Sequence, residues 1–197
     1  VGDTMTIRRA GTLAHWNHFI ALEDDLDRLS KFVDLTGNED TYSLEIARVL
    51  LGASAEVDVI LKQLCKRHVP KSKASTIDKY HPEVTANCPN FIKFEVQIPR
   101  FGISHQPWID WTARRPPVWW SDHNKVKHQR DKYFARATLK NCLNAVGGLF
   151  IAVLHLYEKE AAAGDLLPLP RLFNVADRYF GGVNMGRFGH SFVYLVR

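Results

Sequence analysis

The densest group of polar side chains in the sequence follows a pair of tryptophans, in the segment Trp119–Arg130. Asn124 and His128 are four positions apart, so on a helix they lie on one face, one turn from each other. A neutral imidazole can accept a proton from a ribose hydroxyl, or donate one to a leaving oxygen, near pH 7. The pattern therefore permits an RNA phosphodiester site at His128, with Asn124 orienting a phosphate or a hydroxyl.

Basic residues accompany this pair. Lys125, Lys127 and Arg130 are the side chains expected to bind nucleic-acid phosphates. The alternative, which the spacing alone favours, is structural: Asn124 and His128 would form hydrogen bonds across the helices and hold the preceding tryptophan-rich loop in place. Both interpretations are compatible with the same residue types, and the sequence leaves both open.

Charge is distributed unevenly along the 197 residues. Counting Lys, Arg, Asp and Glu, residues 1–60 carry a net charge of −6, residues 61–140 carry +10, and residues 141–197 carry +1. A basic middle beside an acidic start indicates either ion pairing between the two segments or a basic face that binds a polyanion.

The composition, with 46% hydrophobic and 24% charged residues, is typical of a soluble globular protein. The length indicates one domain over residues 1–197, with an ordered proline- and tryptophan-rich insertion at residues 70–120. Three cysteines without regular spacing indicate reduced thiols. Residues 1–10 have no apolar signal-peptide core, and the apolar run Ala145–Leu154 is about half of a membrane span, so we expect a cytoplasmic protein.

Two long periodic segments predict helices that position these side chains. Within residues 12–35 apolar residues recur every three or four positions, and Gly37 is suited to end that helix. The second helix begins at Asp40 or Thr41, either of which can cap it. It ends just before Pro70, because proline disfavours helix in the preceding residue.

A later helical region is expected to begin at residues 121–122 and to continue to about Lys159, with a break near residues 130–132. Gly52 and the pair Gly147–Gly148 fall inside helices, where glycine lowers stability, so we expect neighbouring helices to cross closely there.

A short strand is predicted at residues 94–98, where apolar and polar residues alternate, and His190–Val196 alternates in the same way. We expect these two segments to pair. The predicted fold is therefore mainly α: an antiparallel helical bundle with a long loop-rich insertion and one short β-pair.

Several segments together resemble bacterial HEPN-type proteins, namely Tyr42–Arg48, Ser54–Cys65, Trp119–Trp120 with Asn124–Arg130, and Ala137–Asn141. Members of that superfamily are antiparallel bundles of four or five helices. Many are metal-independent endoribonucleases of toxin–antitoxin, abortive-infection and defence systems. The resemblance covers residues 40–67 and 119–157. It implies a homodimer without cofactor or metal, with RNA or a nucleotide and an antitoxin-like protein as partners.

The resemblance also implies roles for single residues. The HEPN hallmark is an arginine, then a polar residue, then three to five residues, then a histidine. Asn124 and His128 match it, and His123 stands where the arginine is expected. The implied catalytic residues are His128, Asn124 and His123. A histidine is cationic only part of the time at pH 7 and lacks the arginine fork. The alternative is therefore a catalytically inactive HEPN-like binding or scaffold module with a structural motif.

An acidic residue on the second helix is expected to orient His128 and raise its pKa. Glu56 shares a stripe with Gly52, so we expect Glu56 to face the motif in this supporting role. Asp58 is expected to pair with Lys62 at the surface, because the two are four positions apart.

Other patterns are weaker. Cys65-x-x-His68 and His15-x-x-His18 supply two ligands each where a structural zinc needs four, so we predict no metal site. Four tryptophans beside two arginines could stack nucleic-acid bases, although such rings more often belong to a core. They are Trp108, Trp111, Trp119 and Trp120, with Arg114 and Arg115.

Overall fold

The computed structural model describes residues 11–183 and 192–196. The helices there are α1 (Ala14–Leu29), α2 (Leu44–His68), α3 (Ile77–Asn87), α4 (Val118–His128), α5 (Arg130–Tyr133), α6 (Leu139–Leu156) and α7 (Glu158–Ala163). The strands are β1 (Val96–Ile98), β2 (Ile103–His105), β3 (Asn174–Val175), β4 (Phe180–Val183) and β5 (Phe192–Tyr194). The prediction of a mainly helical fold is confirmed.

Helices α2 and α6 form the centre of the fold and run parallel to each other. Near their starts, the Leu139 N–H donates to the Thr41 carbonyl (2.8 Å). Near their ends, the Arg67 guanidinium donates to the Leu156 carbonyl (2.8 Å). Helix α6 is long and apolar enough to cross a membrane, but 83% of it is buried inside the fold. It is therefore the core helix of this protein.

Helices α1 and α4 flank the central pair and run antiparallel to it. Asp25 near the end of α1 contacts Arg48 near the start of α2, and His18 near the start of α1 contacts Glu56 further along α2. The two helices therefore run in opposite directions. Along α4 and α6, Trp119 near the start of α4 lies against Gly148, whereas Asp122 further along α4 accepts from Asn141 near the start of α6 (3.1 Å). The antiparallel arrangement predicted for the bundle therefore holds for the flanking helices, while the central helices run parallel.

Helix α1 ends at Leu29, earlier than the predicted limit at residue 35. The Ser30 hydroxyl donates to the Asp27 carbonyl (2.7 Å), a local bond that competes with continued helix. Gly37 has a φ of +73° in the turn that follows, so it belongs to that turn rather than to the end of the helix.

Helix α2 is capped by Ser43, whose hydroxyl accepts a hydrogen bond from the Ile46 N–H (3.1 Å). The predicted caps Asp40 and Thr41 are therefore wrong, because the chain turns into helix only after Ser43. The end of the helix at His68 agrees with the prediction.

The predicted tryptophan-rich insertion is ordered and packs on α6. The indole N–H groups of Trp108 and Trp119 donate to the carbonyls of Gly148 (3.2 Å) and Pro107 (2.8 Å). A Cβ at Gly148 would lie 3.1 Å from Trp119. The close helix crossing predicted at Gly147–Gly148 is found only at Gly148, because a Cβ at Gly147 would meet His105, Val96 and Pro107 of the insertion rather than a helix. The four tryptophans are at most 6% exposed, so they belong to the core.

The predicted pairing of His190–Val196 with residues 93–99 is wrong. Strand β1 pairs with β2 on one edge and with β3 on the other, so neither edge is left for β5. The turn between β1 and β2 contains Gly102 at a φ of +64°, which brings β2 back at once. Strand β5 pairs with β4 instead, and His190 lies outside the described residues.

Candidate functional site

A cleft of about 320 Å³ lies between α2, α4 and the start of α3. Its polar lining comes from all three elements: Asp58 of α2, Ser75 and Thr76 before α3, and His123, Asn124 and Lys127 of α4. Positions 120, 123, 124 and 127 follow the helical repeat, so one stripe of α4 forms a whole wall of the cleft. Two of the predicted catalytic residues and one predicted phosphate ligand are therefore brought together.

His123 is the most buried polar side chain of this wall, with 4% of its surface exposed. Its ring packs against Trp120 with centroids 5.3 Å apart. Burial, with a contribution from nearby Lys127, lowers the pKa of His123 to about 4. His123 is therefore neutral at pH 7, and it does not supply the permanent charge that an arginine would bring to this position.

Asn124 and His128 do not form the predicted structural clamp. Asn124 is half-buried and His128 is exposed, and neither side chain makes a hydrogen bond with a described residue. His128 is the last residue of α4, which leaves its ring in solvent. The tryptophan loop is held instead by the bonds of Trp108 and Trp119 to backbone carbonyls.

His128, Lys125 and Arg130 lie outside the lining of the cleft, on the exposed surface beside it. Lys125 forms an ion pair with the buried carboxylate of Asp122 (2.9 Å). Arg130 forms no ion pair with a described residue. The structure thus divides the predicted site into a cleft, which contains His123, Asn124 and Lys127, and an exposed basic surface at the end of α4, which consists of Lys125, Lys127, His128 and Arg130.

Asp58 is the acidic group of the cleft, and the expectation that Glu56 faces the motif is corrected. Residues two positions apart point about 200° apart around a helix, so the two carboxylates face opposite sides of α2. The Glu56 carboxylate contacts His15 and lies 3.1 Å from Nδ1 of His18 on α1. Glu56 therefore joins α1 to α2 and does not support the histidine motif.

Gly52 and Glu56 share one face of α2, but the helix that crosses this face is α1 and not α4. A Cβ at Gly52 would lie 3.3 Å from Cδ2 of Leu22, which belongs to α1. The predicted close crossing at Gly52 is therefore confirmed. Because the crossing helix is α1 rather than α4, Glu56 is carried away from the cleft.

Two neighbours hold the Asp58 carboxylate in place. Lys62 forms the predicted ion pair with it, and the buried Tyr80 hydroxyl donates to it (2.8 Å). Tyr80 lies on α3. The sequence pattern does not predict this helix, because Pro82 lies inside it. The Tyr80–Val84 spacing of one helical turn, with both side chains buried, was the available signal.

The histidines of the two short motifs make other contacts: His15 and His18 contact Glu56, and His68 contacts Cys88. Cys88 Sγ lies 3.7 Å from Nε2 of His68, and burial raises the pKa of Cys88 to about 11, so this thiol is protonated at pH 7. Across residues 11–183 and 192–196, no three side chains of His, Cys, Asp or Glu come together as metal ligands.

Comparisons with protein-family models, with curated proteins and with solved structures found no match for this chain. The cleft and the neighbouring basic surface are therefore interpreted from their own geometry and chemistry.

Proposed function

We propose that this chain is an RNA-binding protein whose exposed basic surface at the end of α4 binds phosphates beside the cleft. The observation that carries the proposal is that folding leaves the basic segment largely unpaired with the acidic one. Residues 61–140 hold 16 Lys and Arg. Among the described residues, their ion pairs with residues 1–60 are Arg100–Asp27 and Lys62–Asp58.

Lys127 and Arg130 are the strongest phosphate ligands of this surface. Both are exposed, and neither forms an ion pair within the described part of the chain. Lys125 is already paired with Asp122, so its contact with a phosphate should contribute less to the binding free energy. The three basic residues predicted from the sequence therefore contribute unequally to the proposed interface.

The double variant Lys127→Glu/Arg130→Glu tests this interface. Each phosphate contact contributes about 0.7 to the slope of log affinity against log salt for single-stranded RNA, so the slope should fall by about 1.4. We also expect a loss of about 10-fold or more in affinity at low salt. Fluorescence polarisation with a labelled single-stranded RNA, at several salt concentrations, measures both quantities.

The matched control reverses two exposed lysines that lie in turns elsewhere in the fold, Lys31 and Lys93. It makes the same change in net charge, so it should weaken binding less and keep most of the slope. Equal effects of the two double variants would show non-specific attraction, and absence of RNA retention by the wild type at low salt would refute the proposal.

A second candidate function is metal-independent RNA cleavage by a HEPN-like protein. The observation that favours it is the position of His128, which is exposed one turn beyond Asn124, at the end of the helix that lines the cleft. An RNA bound on the basic surface would reach this imidazole. A HEPN-like toxin or defence protein, acting as a homodimer in the cytoplasm, would fit this candidate.

Replacing His128 with alanine should lower cleavage by about 10²–10⁴-fold, the usual contribution of a general acid–base group. The free energy of unfolding should change by less than about 0.5 kcal/mol, because the ring is exposed and without hydrogen bonds to described residues. Products should carry a 2′,3′-cyclic phosphate, and EDTA should not inhibit. Equal cleavage by the wild type and His128→Ala preparations would exclude His128 as the catalytic group.

A further inference from the structure

On the α4 wall of the cleft, the side chains of Asn124 and Lys127 have no hydrogen-bond partner among the described residues, and there His123 has a hydrogen-bonding interaction only with the backbone of its own helix, at Trp120. His123 is the most buried of the three at 4% exposed, and its buried Nδ1 makes no hydrogen bond to any other described element. Buried polar groups are nearly always hydrogen-bonded, because a buried donor or acceptor without a partner is destabilising. This wall therefore has the chemistry of a surface that binds a polar ligand.

The α2 wall presents acceptors. One oxygen of Asp58 accepts from Tyr80 and the other from Lys62. A carboxylate oxygen has two lone pairs, so each oxygen can accept one more hydrogen bond. The side chain is 32% exposed, and it lines the cleft. Asp58 is thus a fixed acceptor for two adjacent N–H donors.

The two walls together specify the chemical class of the ligand. It must present N–H donors to Asp58, an anionic group to Lys127, and further polar groups to Asn124 and His123. A nucleotide has this combination, and guanine is the common base with two adjacent N–H donors on one edge. The volume of about 320 Å³ lies at the lower end of the range of about 300–1,000 Å³ for small-molecule sites.

We propose that this cleft binds one guanine nucleotide, with the base on Asp58, the phosphate on Lys127 and further hydrogen bonds to Asn124 and His123. The inference rests on the proposed RNA-binding function, in which the occupant is an unpaired guanosine of the strand on the basic surface. Free guanosine monophosphate offers the same groups. The experiment therefore includes both sources.

Calorimetric titration of the full chain with GMP, CMP and guanosine tests the pocket. GMP should bind about 10-fold more tightly than CMP, because the cytosine edge does not present two adjacent N–H donors to Asp58. Asp58→Asn replaces an acceptor with a donor while keeping an oxygen for Tyr80, so it should lower GMP affinity by a similar factor. Lys127→Gln should weaken GMP binding and leave guanosine binding unchanged.

Glu56→Gln is the matched control, because it makes the same type of change on the opposite face of α2. It should leave GMP affinity unchanged. Lys127 is exposed, so its variant should stay folded even if Asp58→Asn does not. Equal affinity for GMP and CMP, or an undiminished GMP affinity in both Asp58→Asn and Lys127→Gln, would overturn the proposal.

An RNA arm separates this inference from the proposed function. Two single-stranded oligonucleotides that differ only by one unpaired guanosine should bind with different affinities, and Asp58→Asn should remove the difference. RNA binding that is lost in Lys127→Glu/Arg130→Glu, without any preference for guanosine, would support the basic surface and refute the pocket. GMP binding without RNA retention would support the pocket for a free nucleotide and refute RNA binding.

Discussion

Helix α2 carries two acidic side chains two positions apart, and the polar clusters that they face differ in how completely their groups are bonded. On the α1 side, Glu56 contacts His15 and His18, and the Gln63 amide donates to Nε2 of His15 (2.9 Å). On the α4 side, Asp58 is bonded to Tyr80 and Lys62, but within the described part of the chain the facing side chains of α4 form no hydrogen bond to it or to one another.

The two clusters contain the same kinds of residue: a carboxylate, at least one imidazole and a side-chain amide. Residue type therefore does not distinguish them, and neither does helical spacing. The difference lies in their partners. A cluster whose members bond to each other holds two helices together, whereas a cluster with unused donors and acceptors is available to a ligand.

The largest expected effect on stability comes from acid acting on the buried histidines. Burial lowers the pKa of His105, His123 and His155 to about 4 in the folded chain. The unfolded chain therefore takes up protons first as the pH falls below 6.5, so stability is greatest above pH 6.5 and is lost progressively toward pH 4. Each histidine should contribute a loss of about 2 kcal/mol between pH 7 and pH 5.

Urea unfolding of the wild type and of His123→Phe at both pH values isolates the histidine of the cleft. Phenylalanine keeps an aromatic ring against Trp120 but has no titrating group. The loss of stability between pH 7 and pH 5 should be about 2 kcal/mol smaller in the variant. If the free energy of unfolding of the two proteins had the same pH dependence, burial would not hinder protonation of His123. The polar groups facing Asp58 would then differ less from those facing Glu56.

A smaller effect is expected from removing one charge from each cluster. Glu56→Gln weakens contacts to two histidines, and because His18 is 43% exposed we expect a loss of only about 1 kcal/mol. Asp58→Asn keeps an acceptor for Tyr80 and loses a half-exposed ion pair with Lys62, so about 0.5 kcal/mol or less is expected.

Denaturant midpoints of these two variants, compared with the wild type, give the order of the effects. A larger loss for Asp58→Asn than for Glu56→Gln would mean that the cleft, rather than the α1 contact, is the structural cluster. It would also remove the basis for assigning the cleft to a ligand.

The candidate site was predictable to the extent that it depends on one helix. The spacing of His123, Asn124 and Lys127 follows from the sequence once α4 is recognised. The spacing does not show whether Glu56 or Asp58 faces these residues, because that depends on which helix crosses α2 at Gly52. The sequence indicates the crossing through the glycine, but the identity of the crossing helix is a tertiary property.

The fold was predictable where a strong apolar period defines an element, as in α1, α2 and α6. Helix α3 was missed because Pro82 interrupts its pattern and only Tyr80 and Val84 are buried. The partner of β1 was predicted incorrectly because strand alternation identifies a strand but not its neighbour. The local turn at Gly102 and the return of the chain at β3 occupy both edges.

The smallest expected effect concerns the crossing that separates the two clusters. Gly52→Ala should stabilise α2 by up to about 1 kcal/mol, because alanine is favoured over glycine inside a helix. The new Cβ would lie 3.3 Å from Cδ2 of Leu22, the end of a flexible side chain that can move by a few tenths of an ångström. The net change should be a stabilisation of about 0.5 kcal/mol or less, with the contacts of Glu56 to α1 preserved.

Gly147→Ala is the matched comparison in the other long helix of the centre. Its Cβ would meet Nε2 of His105 at 2.9 Å and Cγ2 of Val96 at 3.0 Å, in a region already filled by the insertion. Overpacking of this kind costs about 1–3 kcal/mol, so this variant should unfold at lower denaturant than Gly52→Ala. If Gly52→Ala were the more destabilised of the two, Leu22 would be rigidly held, and α1 would be fixed to α2 by close packing more than by the Glu56 cluster.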